Sequence, residues 1–155
     1  MPRVATPYRK NGDELQRAPY QNQFIDNNYS SGAGGLMASA EGFLRFGQML
    51  LNGGQLNGKR LLSPKTVDLM ASVHTADVLP GLSPGRSFGL SVQVINNAVA
   101  ANLRVSDGSY GWNGAFGTHF WVDPKEKIVG LLMIQGRGYE LSRDFENAVM
   151  QAIVE

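Results

Sequence analysis

Glycine is the residue that most constrains this chain: it occurs 19 times in 155 residues and gathers at 32–35, 53–58, 81–89 and 108–117. Glycine is costly inside helices and strands and favoured in turns, so such clusters mark where regular elements stop. The stretches between them must then be short elements. Their apolar period says which kind each one is.

Ser39 is placed to cap a helix over residues 40–52, where Phe43, Phe46, Met49 and Leu50 form one stripe and Gly53-Gly54 ends it. Ser63-Pro64 opens a second helix, with proline at the first helical position and Val67, Met70 and Ala71 as its buried face. The period then becomes two. Phe88, Leu90, Val92 and Val94 alternate with Gly89, Ser91, Gln93 and Ile95, which predicts one strand over 88–95. Residues 110–114 and 118–122 predict two more strands joined by a tight glycine turn, and Asp123-Pro124-Lys125-Glu126 predicts another turn. Residues 128–134 are apolar almost throughout, as in a strand covered on both faces. A last helix is expected over 142–153, with Phe145, Ala148, Val149, Ala152 and Ile153 inward. Two helices, adjacent strands with short turns and a final helix give an α+β fold of the α/β sandwich type, an antiparallel sheet flanked by helices. The last helix can cover one face of the buried strand. No partner for the other face is evident. Residues 1–30 are polar and weakly patterned and read as a surface segment that needs other chain to lie on, leaving 31–155 as the folded part.

Several functions are argued against by what the chain lacks. Hydrophobic residues make up 43% and charged residues 17%, a globular composition. With a net charge of +1 and no basic cluster, there is no electrostatic footprint for nucleic acid. No apolar run approaches the roughly 18 residues that span a bilayer, and residues 1–5 carry no apolar signal core. The absence of cysteine excludes disulfides, thiolate metal sites and a cysteine nucleophile. His74 and His119 share no ligand spacing with each other or with a carboxylate, so no metal is expected and both read as ordinary surface or half-buried residues. Three apparent motifs are decoys. Gly53-Gly54-Gln55-Leu56-Asn57-Gly58-Lys59-Arg60 has arginine where a phosphate loop needs Ser or Thr, and it follows a helix. Gly81-Leu82-Ser83-Pro84-Gly85 spells a nucleophile elbow but lacks the strand-turn-helix context. Tyr20-Gln21-Asn22 matches Tyr-x-Asn, with no apolar helix after it.

The informative segment runs from 108 to 124. Gly111, Gly114 and Gly117 flank strand-forming aromatics, and glycine inside a strand marks a bulge or a ligand lying close to backbone. Such a strand can offer N–H groups to a substrate carbonyl. A hairpin whose glycines only relieve crowding would look the same.

Tyr110-Gly111-Trp112-Asn113-Gly114-Ala115-Phe116-Gly117-Thr118-His119-Phe120-Trp121-Val122-Asp123-Pro124 resembles the third motif region of class C β-lactamase-like serine hydrolases, a family that includes D-alanyl-D-alanine peptidases and carboxylesterases. Residues 31–46 resemble the family's Gly-rich turn and following helix, and residues 54–67 its next linker and helix. The resemblance implies the C-terminal part of a β-lactamase/transpeptidase-like fold. It also implies acyl transfer through a serine ester: Ser-x-x-Lys supplies nucleophile and base, Tyr-x-Asn assists proton transfer, and a Lys/His-Thr-Gly strand lines the substrate. Trp112-Asn113-Gly114 matches that last motif, so the backbone N–H of Ala115 would be an oxyanion donor, with Tyr110, Trp112, Asn113 and Gly114 lining the substrate. Trp112 replaces the family's cation. Ester-cleaving members often carry Trp there, which points to small uncharged acyl substrates. The family needs no metal or cofactor and is often periplasmic or secreted. None of Lys10, Lys59, Lys65, Lys125 and Lys127 has Ser three residues before it. The chain is therefore expected to be inactive alone, to pair with a separate N-terminal half chain, or to serve as a non-catalytic binding module that can self-associate.

Overall fold

Residues 4–18, 32, 34, 36–75, 81–136 and 139–154 are described by a computed structural model. Tyr20-Gln21-Asn22 and much of the Gly32–Gly35 turn lie outside the described residues. The described part of the N-terminal segment is a hairpin of β1 (Tyr8–Asn11) and β2 (Glu14–Arg17), turned at Gly12 and exposed at every strand residue. A strand pair with no buried face has no apolar alternation, so its sequence carries no strand signal.

Ser39 caps α1 (Ala40–Leu51), its Oγ accepting from the Gly42 N–H at 3.2 Å. The helix ends where Gly54 donates back to the Met49 carbonyl at 2.8 Å. The phosphate-loop look-alike that follows is a small hairpin of β3 (Gln55–Leu56) and β4 (Lys59–Arg60). Its two turn residues, Asn57 and Gly58, both have positive φ, the geometry that two-residue hairpins favour. Arg60 donates to the carbonyls of Gly53 (3.0 Å) and Leu62 (3.1 Å) and fixes the linker. Ser63 then caps α2 (Pro64–Ala71) through the Thr66 N–H at 3.0 Å.

The sheet has five antiparallel strands in sequence order: β5 (Arg86–Phe88), β6 (Gln93–Ile95), β7 (Tyr110–Asn113), β8 (His119–Asp123) and β9 (Ile128–Leu132). The single strand expected over 88–95 is instead two strands and a turn. Gly89 donates to the Val92 carbonyl at 2.9 Å, Ser91 has a φ of 67°, and Leu90 donates to the Met70 carbonyl at 2.9 Å. Apolar alternation continues through a tight turn much as it does along a strand, so the period alone does not show the break. The chain closes with α3 (Tyr139–Gln151).

Alternate side chains of the sheet feed two cores. One holds Val92, Val94, Tyr110, Phe120 and Val122 against Met49 and Leu50 of α1 and Val67 of α2. The other holds Ile95, Ala98, Val105 and Trp121 against Met150, with Phe145 and Val149 of α3 beside them. The sheet therefore lies between two helical layers, and α1 is the second cover of β9 that the sequence left unidentified. Gly47 makes this approach possible, since a Cβ there would stand 2.8 Å from the Phe120 ring and also strike Val129. The inward face of α3 differs from the expected one. Ser142, Glu146 and Met150 are buried, Phe145 and Val149 are half-buried, and Ala148, Ala152 and Ile153 are exposed. A charged residue had turned inward, which an apolar stripe cannot report.

Candidate functional site

The middle strand β7 is paired along its whole length on one side only. Toward β8 the register runs from Tyr110↔Val122 to Asn113↔His119. The Gly114 N–H then donates to the Thr118 carbonyl (2.8 Å), and the Gly117 N–H to the Gly114 carbonyl (3.0 Å), closing the turn. Toward β6 the pairing stops at Gln93↔Gly111. Residues 112–115 thus have an outer edge with no strand beside it among the described residues. Backbone groups alternate sides along an antiparallel strand, so with Gly114 bonded inward, the backbone of Asn113 points to this open edge. Ala115 is exposed in the turn, and its N–H meets no acceptor among the described residues.

The side chains expected to line a substrate are distributed differently from one another. Trp112 is 49% exposed and stands edge-on to Phe88, with ring centroids 5.1 Å apart. Gly114 is exposed, and a Cβ on it would overlap the Thr118 hydroxyl. Tyr110 is only 4% exposed and its ring packs into the α1–α2 core. Burial, and secondarily the Asp68 carboxylate, push its phenol up to about 12. Asn113 turns its side chain to the opposite face, toward α3.

There it meets His119, which the sequence presents as an ordinary surface or half-buried residue, and Glu146, which no sequence motif singled out. His119, directly across from Asn113, places Nδ1 2.7 Å from the Asn113 Oδ1 and Nε2 2.5 Å from the Glu146 Oε2. The ring stacks on Trp121 at 5.3 Å and 22°. The histidine and glutamate side chains are 13% and 6% exposed. A cavity of about 40 Å³ lies against this chain, with Arg86 and Gln93, joined at 2.7 Å, among its lining. The available signal was Glu146 at the centre of a row of three residues spaced four apart, Ser142, Glu146 and Met150, on the last helix. A carboxylate in such a row needs a partner facing it.

The other sequence candidates stay apart from this edge. His74 is exposed and bonds the Leu69 carbonyl at 2.8 Å. Ser83 is exposed in the loop that leads into β5, with no helix after it. Among the described residues, no group of three or more His, Asp or Glu side chains is placed to hold a metal, and no helix is long and apolar enough to cross a membrane.

Comparison with known proteins adds context to this geometry. A family model described as Beta-lactamase matches residues 1–155. Protein Rv1367c of Mycobacterium tuberculosis is 31% identical over 145 residues, covering 86% of this chain and 36% of the relative. Among solved structures, simvastatin synthase (LovD) from Aspergillus terreus matches 99% of this chain and 44% of its own, at 21% identity and a TM-score of 0.77. EstCE1, a hydrolase with promiscuous acyltransferase activity, matches 96% of this chain and 42% of its own, at 22% identity and a TM-score of 0.75. At these identities the two structures speak for the fold. The chain spans less than half the length of each of these relatives.

Proposed function

The chain belongs to the β-lactamase family, and on that premise we propose that it forms the substrate-lining wall of a serine hydrolase that cleaves esters or amides through an acyl-enzyme. The observation that carries this reading is the unpaired outer edge of β7 at residues 112–115. An acyl substrate in extended form can lie along it and bond its backbone groups, as a further strand would. In this reading the Ala115 N–H is one oxyanion donor, stabilising the negative charge that builds on the carbonyl oxygen as a serine Oγ attacks. Collapse of that intermediate expels the alcohol or amine, which takes a proton from the enzyme's base, and water then releases the acid. Trp112 gives the edge an apolar, uncharged surface, which favours small neutral acyl groups over carboxylate-bearing β-lactams. We assign Tyr110 to anchoring the strand from the core rather than to touching substrate. The serine is proposed to lie on polypeptide outside these 155 residues, because none of the five lysines follows the Ser-x-x-Lys pattern.

The test is Ala115→Pro, which removes one N–H and no side-chain function. In the assembled hydrolase it is expected to lower kcat on a short acyl ester by about 10²–10³-fold, equivalent to about 2.7–4 kcal/mol. Unchanged kcat in a folded variant rejects the oxyanion role. Faster turnover of charged β-lactams than of short acyl esters rejects the esterase preference.

A second reading has its own support. β9 is the last strand of its sheet, with one edge unpaired among the described residues. An open edge of five mostly apolar residues invites another strand. That suits a complementing chain that brings the nucleophile, or self-association in a non-catalytic binding module.

A further inference from the structure

We propose that Glu146 and His119 are positioning residues for the oxyanion edge, acting through Asn113; the proposal rests on the hydrolase reading of β7. Glu146, on α3, bonds His119 on β8 at 2.5 Å, and His119 bonds Asn113 on β7 at 2.7 Å. Asn113 is two residues from the Ala115 amide. One polar chain thus ties the helical layer behind the sheet to the strand that would face the substrate.

The strand needs such a tie. Gly111 and Gly114, on either side of Trp112 and Asn113, carry no side chain to pack. At Gly111 a Cβ would overlap the Phe120 carbonyl, so none can be accommodated. Trp112 is half in solvent, so Asn113 is the one side chain at this end of β7 fixed by hydrogen bonding. On the outer side, β6 has already ended. The clamp is itself held: the imidazole stacks on the buried Trp121, and both of its nitrogens are engaged.

The protonation pattern follows from the partners. Glu146, as a carboxylate, only accepts, so Nε2 carries a proton. Nδ1 faces an amide, and it either donates to Oδ1 or accepts from the reversed amide. In both arrangements the Nε2–H to carboxylate bond is charge-assisted and shielded from water, among the stronger hydrogen bonds a protein makes. The other charged or titratable groups lining this space are Arg86 of β5 and Tyr110 of β7.

The test uses the present chain and needs no catalysis. Nuclear magnetic resonance of the wild type should show a slowly exchanging, low-field ring N–H from His119. In Glu146→Ala the backbone amide signals of residues 113–115 should shift and the Gly114 amide should exchange faster. Glu146→Gln, which keeps an acceptor oxygen, should restore them. A folded Glu146→Ala whose 113–115 amides stay at wild-type positions overturns the proposal. If Glu146→Ala does not fold, the wild-type ring proton decides, and a His119 N–H that exchanges as fast as free imidazole overturns it. In the assembled hydrolase, Glu146→Ala is expected to lower kcat on the order of tenfold or more with KM little changed, since displaced catalytic geometry costs turnover rather than uniform binding, and Glu146→Gln should recover most of it. Absence of hydrolysis in every form would reject the hydrolase reading while leaving the resonance results to judge the clamp.

Discussion

At the scale of single residues, the strand that carries the proposed chemistry is held from both faces by groups of opposite character. Tyr110 enters an apolar core, and Asn113 enters a polar chain. The tyrosine makes a measurable demand on pH. Its phenol is raised from 10.0 to about 12 by burial first and Asp68 second. The folded state therefore keeps this proton where the unfolded state has lost it. The resulting stability is fully present below pH 10 and is lost as pH rises toward about 12, for a total of roughly 3 kcal/mol at most. Denaturant unfolding of wild type and Tyr110→Phe at pH 9 and pH 11.5 checks this, because the phenylalanine variant should lose less stability over that interval. Equal losses would remove the assigned cause. Trp112, Gly114 and Ala115 became candidates through the resemblance to the family's third motif region, while the glycines among aromatics by themselves marked only a strand open to close approach. His119 and Glu146 were not, because 27 residues separate them and no spacing rule joins a strand residue to a helix residue across a sheet.

At the scale of elements, the sequence was most readable where a local rule sets a boundary. Ser39 and Ser63 cap their helices as expected, and Asp123 closes its turn by accepting from the Lys125 and Glu126 amides at 3.1 Å each. It was least readable where the deciding contact is distant. The break in 88–95 depends on Met70, and a Cβ on Gly89 would overlap that residue's carbonyl oxygen. The role of α1 as second cover of β9 depends on Gly47, whose missing side chain carries no apolar signal. Gly47→Leu should push α1 away from Phe120 and Val129 and cost about 1–3 kcal/mol of stability, the usual penalty for overpacking, while a leucine at exposed position 48 should change stability by less than about 0.5 kcal/mol. Thermal unfolding of the two variants compares them directly. Equal melting temperatures would mean that α1 does not rest on the sheet at Gly47.

At the scale of the whole molecule, the covered sheet has open strand edges at residues 112–115 of β7 and along β9 among the described residues, and the two proposed readings give them different occupants. The outer edge of β7 is short and flanked by Trp112, as suits a small extended substrate. The edge of β9 is a full strand long, and Leu44 and Phe46 on α1 are 40% and 43% exposed. In the second reading proposed above, this apolar surface and open strand are where a protein partner would dock. The family and the fold were legible in three ordered segments of sequence, because the residues that build the third-motif hairpin and the two capped helices are local. What the site does was legible only in part, because the proposed reaction calls for a Ser-x-x-Lys pair and no lysine of the sequence has a serine three residues before it. Fluorophosphonate labelling of this chain, alone and mixed with a polypeptide that carries Ser-x-x-Lys from the same fold, decides whether β7 forms one wall of a hydrolase site whose serine lies elsewhere. No label is expected on this chain, and label is expected on the other polypeptide's serine only when both are present. Stoichiometric label on this chain alone, or partner labelling indifferent to its presence, would contradict that role for β7.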